Sequence, residues 1–69
     1  MTKLEALEAM KEGKKVSHIY FTSDEYLYID KEGIMRDESG CNWSHYSNDY
    51  NPWNDRSGGN WEKDWYIYE

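Results

Sequence analysis

The sequence predicts an α+β fold: one N-terminal helix packed on a small antiparallel β-sheet, with a long aromatic-rich loop. Three observations predict it. A capping box opens a segment whose apolar residues recur at helical spacing. Several short segments then alternate apolar and polar side chains, as half-buried strands do. The turns between them are short and polar, which suits hairpins.

The elements follow in order. Thr2-Lys3-Leu4-Glu5 is the capping box. The Thr2 hydroxyl can accept from the amide of Glu5, and the Glu5 carboxylate can reach back to the amide of Thr2. Leu4, Leu7 and Met10, with Ala6 and Ala9 beside them, mark a helix over 3–12. Its acids (Glu5, Glu8) come early and its bases (Lys11, Lys14) late, as the helix dipole favours. Gly13 is the natural left-handed stop.

Residues 15–21 are rich in β-branched and aromatic side chains and read as a strand. Further strands are expected at 26–30, 34–37 and 63–68. Leu27, Ile29, Trp65 and Ile67 are the expected partners of Leu4, Leu7 and Met10. The tyrosines Tyr26, Tyr28, Tyr66 and Tyr68 then fall on the far face, since side chains alternate along a strand. One helix covers only one face of a sheet, so these four are the candidate interface. A homo-oligomer, or another protein, is the expected cover.

Residues 38–60 lose all periodicity. This loop carries the one Pro, and also Trp43, Tyr46, Tyr50 and Trp53. Disordered segments are poor in such rings. Two readings stand together: rings that patch a thin core, and rings that serve a function.

Length and composition bound the rest. The chain has 69 residues and is expected to form a single domain, 1–69. Its single Cys excludes an intrachain disulfide and suits a reducing cytoplasm. With 8 basic and 14 acidic residues the net charge is −6, which argues against direct contact with nucleic acid or anionic lipid. No apolar run is long enough to span a membrane. The N-terminal segment lacks the apolar core of a signal peptide. Aromatic residues make up 17%, with 7 Tyr and 4 Trp, so apolar area is concentrated in rings with a polar handle.

The motifs for chemistry are sparse. Cys41 and His45, with His18 or Asp49, can offer metal ligands, but no second Cys pair completes a structural zinc set. Cys41, His45 and Asp49 invite a nucleophile–base–orienter reading, yet nothing marks an oxyanion hole. No metal and no cofactor is therefore expected, and no enzyme. Ser57-Gly58-Gly59 offers backbone amides to an anion, and equally reads as a turn. The loop aromatics have a sharper use. Trp and Tyr stack on bases, while Asn and Ser bond base edges and ribose hydroxyls. Trp43, Tyr46, Asn48 and Trp53 form a candidate nucleotide pocket, with Arg56, Lys15 and His18 as phosphate partners.

Two terminal segments carry a resemblance. Leu4-Glu5-Ala6-Leu7-Glu8-Ala9-Met10-Lys11-Glu12-Gly13-Lys14-Lys15-Val16 resembles the opening of small phage proteins, and Asp64-Trp65-Tyr66-Ile67-Tyr68-Glu69 their closing strand. These include the second type of Thoeris anti-defence sponges. The resemblance implies a homo-oligomeric viral protein in the host cytoplasm that evades immunity by sequestering a cyclic nucleotide or similar small signal without catalysis. Family members often carry an Arg and then a Trp in the strand after the Gly-Lys. Here His18 stands near the Arg position as a donor, and Tyr20 near the Trp position as a stacking ring. Some relatives have been linked to anti-CRISPR activity. The acidic balance suits the alternative, an inhibitor of anti-CRISPR or DNA-mimic type that binds a host defence protein.

Overall fold

The structure is a computed structural model that describes residues 1–43 and 52–69. Helix α1 spans Lys3–Lys11. Its capping box closes both ways: Glu5 N–H donates to Thr2 Oγ1 at 3.1 Å, and Thr2 N–H to Glu5 Oε1 at 2.8 Å. It ends in a Schellman motif. Gly13 takes φ +91°, its N–H donates to the Met10 carbonyl, and Lys14 N–H to that of Ala9.

Four short strands follow: β1 (Val16–His18), β2 (Leu27–Ile29), β3 (Met35–Asp37) and β4 (Trp65–Ile67). They form one antiparallel sheet in the order β3-β2-β1-β4. Each lies inside an expected strand but is shorter than it. β1 stops at His18 because the chain turns there, with Phe21 N–H donating to the His18 carbonyl. The His18 ring then takes the Tyr20 amide, which removes that donor from any ladder.

Residues paired across strands share a face. Val16 pairs with both Leu27 and Ile67, His18 with Trp65, and Ile29 with Met35. These form the face under α1. The core is Ala6, Ala9, Met10, Val16, Leu27, Met35, Trp43 and Trp65. The helix differs from expectation in rotation. Its buried centre lies on Ala6, Ala9 and Met10, while Leu7 is half-buried and Leu4 is 67% exposed. At about 100° per residue, Leu4 sits nearly opposite Ala6 on the helical wheel. The alanines let the helix approach the strands closely, and the indoles supply the volume the leucines would have filled. Ile67, on an edge strand, is also more exposed than expected.

The opposite face carries the tyrosines, as the alternation predicts. Ser17 pairs with Tyr66, and Tyr28 with Arg36. Tyr26 and Tyr68 flank β1, and their rings lie 4.8 Å apart. Ser17, on the strand between them, is fully buried, although no helix among the described residues covers this face. Lys15 Nζ stands 4.7 Å from the Tyr26 ring centre. This face therefore covers itself in part: Tyr26, Tyr28 and Tyr68 are half-buried, and Tyr66 is 41% exposed.

The stretch expected as an irregular loop holds local structure. Asn42 bridges to Arg36, and Trp43 N–H donates to the Met35 carbonyl, so the chain folds back along β3. A one-turn helix, α2 (Pro52–Asp55), and a 3₁₀ turn (Gly59–Glu62) follow. Among the described residues, no helix is long and apolar enough to cross a membrane.

Candidate functional site

The expected ligand residues divide into two groups. Lys15 lies on the tyrosine face, over Tyr26. His18, Tyr20, Trp43, Trp53 and Arg56 join one aromatic layer on the helix side. Tyr46 and Asn48 lie outside the described residues.

His18 is the hub of that layer and is fully buried. Its ring lies 4.4 Å from Trp61, 4.8 Å from Trp65 and 5.1 Å from Tyr20, centre to centre. Tyr20 N–H donates to Nδ1 at 3.1 Å, so Nδ1 is the acceptor and the proton sits on Nε2. Nε2 faces the carbonyls of Asn60 at 3.0 Å and Lys63 at 2.7 Å. The imidazole thus ties the 3₁₀ turn to β1. It was expected to face a phosphate; in the folded chain both ring nitrogens are already engaged.

Trp43 was expected to stack on a ligand and instead closes the core. Its Nε1 donates to Asp37 Oδ2 at 3.0 Å. Trp53 is half-buried, with Trp65 at 5.1 Å on one side and Lys3 Nζ 4.7 Å from its ring centre.

Among the described residues, Tyr20, Asn60, Trp61 and Arg56 border a rim. The guanidinium carbon of Arg56 lies 4.5 Å from the Trp43 ring centre and 5.8 Å from that of Trp61. Its Nη1 donates to the Pro52 carbonyl, while Nε is buried without a hydrogen-bond partner. No carboxylate pairs with this arginine among the described residues. Beside it, Trp61 is half-buried and Tyr20 is 55% exposed. The Tyr20 hydroxyl accepts from Asn60 Nδ2. A ring face, an amide and a cation thus border one surface.

Sequence reasoning missed Trp61, Asn60 and Lys3. Trp61 was legible in principle. It is one of four tryptophans in the chain, and Trp65 Nε1 donates to its carbonyl at 2.8 Å. Among the described residues, no three His, Cys, Asp or Glu side chains gather as metal ligands, and Cys41 is exposed. The arrangement offers stacking and hydrogen bonding. Comparison with protein-family models, curated proteins and solved structures finds no match to this chain.

Proposed function

We propose that this is a phage counter-defence protein that binds a nucleotide-derived immune signal and holds it without turning it over. The observation that carries the reading is the rim: the exposed Tyr20 ring beside Trp61 and Asn60, with the Arg56 guanidinium near Trp61 and no carboxylate paired to it among the described residues. A base stacks on Tyr20 for ~1–3 kcal/mol, and a phosphate on Arg56 adds ~1.5–3 kcal/mol. The amide of Asn60 is placed to bond a base edge or a ribose hydroxyl. These contacts are set against the cost of association, so a ligand gains most when it uses both base and phosphate. The resemblance of the two terminal segments to the sponge family supports the same reading. Those segments pack on each other as α1 and β4.

The protein acts in the host cytoplasm as a homo-oligomer, with Tyr66 and its neighbours between subunits. Sedimentation that shows a monomer at every concentration would remove that part. The test of the signal reading is calorimetry with cyclic dinucleotides and cyclic ADP-ribose isomers.

A second reading rests on a different observation. Fourteen acids against 8 bases, with Ile19 and Tyr66 exposed, suit an inhibitor that docks on a host defence protein. A stoichiometric complex with such an enzyme, and no bound nucleotide, would select it.

A further inference from the structure

Away from the rim, an open cleft of about 240 Å³ lies between α1 and the segment after α2. Leu4, Leu7 and Trp53 give it apolar walls, and Lys3, Ser57 and Glu62 line it with polar groups. The Lys3 ammonium donates to the Trp53 carbonyl at 2.7 Å and to Ser57 Oγ at 2.8 Å. Both acceptors are neutral. An ammonium has three donors, and the third finds no acceptor among the described residues. Glu62 lines the same cleft but forms no ion pair with Lys3, and its Oε2 accepts from Gly58 N–H at 2.9 Å. Burial holds the ammonium below the ordinary lysine value, and the charge of Glu62 only partly restores it. The ammonium is thus partly buried between two neutral acceptors, with the Glu62 charge near but not in contact, and its third donor is left for an anion.

Leu4 adds a second clue. It is a large apolar side chain, mostly exposed, that lines the same cleft. The head group is restricted by charge. One donor is unspent, and Glu62 on the wall penalises a second negative charge. The volume is below the ~300–1,000 Å³ of drug-sized sites. We infer that this cleft is a binding site for a small amphiphilic monoanion, a carboxylate on a short apolar body, with the carboxylate on Lys3 and the body on Leu4, Leu7 and Trp53. The site is separate from the nucleotide rim, and its occupancy does not depend on that reading.

The probes are hexanoate and its neutral isostere hexanamide, titrated at millimolar concentration into the whole chain. Backbone amide shifts of residues 3–7 and 57–62 and the indole fluorescence report binding. Hexanoate should saturate, with hexanamide at least tenfold weaker. Lys3→Met should abolish the difference between the two. Leu4→Glu, at a position exposed enough to keep the fold, should weaken hexanoate by a similar factor. Inorganic phosphate near pH 8, as the dianion, should bind more weakly than hexanoate. Equal response to hexanoate and hexanamide overturns the inference. So does hexanoate binding that Leu4→Glu leaves unchanged.

Discussion

Ser17 is the smallest side chain between tyrosines, and its size is what lets Tyr26 and Tyr68 approach over β1. Its hydroxyl donates to the Glu25 carbonyl at 2.7 Å. Ser17→Leu would wedge the rings apart and strand that carbonyl. The expected loss is ~1–3 kcal/mol, the usual cost of overpacking, read as a lowered urea midpoint. His18 makes a second residue-scale case. His18→Leu keeps the apolar volume but leaves the carbonyls of Asn60 and Lys63 and the amide of Tyr20 without the ring nitrogens they face. Leaving buried polar groups unmatched costs ~1–3 kcal/mol. Hydrogen exchange should show the 3₁₀ turn opening first in this variant. In the sequence His18 reads as a strand residue free to meet a phosphate or a metal. Nothing local shows that the ring nitrogens meet a segment more than 40 positions away.

The elements were legible where their signal is local. The capping box and the Gly13 stop depend on neighbours within one turn, and both stand as read. Helix rotation is set by what the sheet offers, so the choice between leucines and alanines could not be read from spacing alone. Two carboxylates tie these elements to pH. Glu5 is held below the ordinary carboxylate value, chiefly by the Thr2 amide and then its hydroxyl. Asp30 is held down chiefly by Arg36, whose Nε donates at 2.7 Å, and by the amides of Ile34 and Glu32. Both folded-state values lie below the unfolded ones. Their stabilisation is therefore complete above the unfolded values and is lost as pH falls through the folded ones. The urea midpoint should be flat from about pH 7 to 5 as far as these groups go, and fall below about pH 4. Asp30→Asn should lower the midpoint at neutral pH and flatten that acid limb. An unchanged limb would show that the β2–β3 turn draws nothing from the charge.

For the whole molecule, a chain of 69 residues supplies little core, and its aromatic side chains make up the difference. Trp43 and Trp65 are core, and Trp53 and Trp61 pack against it. Among the described residues, the loop tryptophans thus serve the interior first, and Arg56 and Asn60 border the surface left for a ligand. That surface was partly legible: Tyr20 and Arg56 were singled out, while Trp61 and Asn60 were not. They belong to a one-turn 3₁₀ segment that is held by His18 and by Trp65, not by local periodicity. Lys15 was grouped with the site by charge alone, and strand alternation puts it on the other face. On the proposed reading, the rim of Tyr20, Trp61 and Arg56 takes a nucleotide signal. Calorimetry of wild type and Tyr20→Ala against cyclic dinucleotides and cyclic ADP-ribose isomers tests it most directly. Tyr20 is 55% exposed but its ring packs on His18 and Trp61, so the urea midpoint of Tyr20→Ala is read beside its affinity. Wild type should bind one of these ligands, and Tyr20→Ala should bind it ~5–150-fold more weakly, the loss of one stacked base. No heat with any nucleotide, or equal affinity for both proteins, would contradict it.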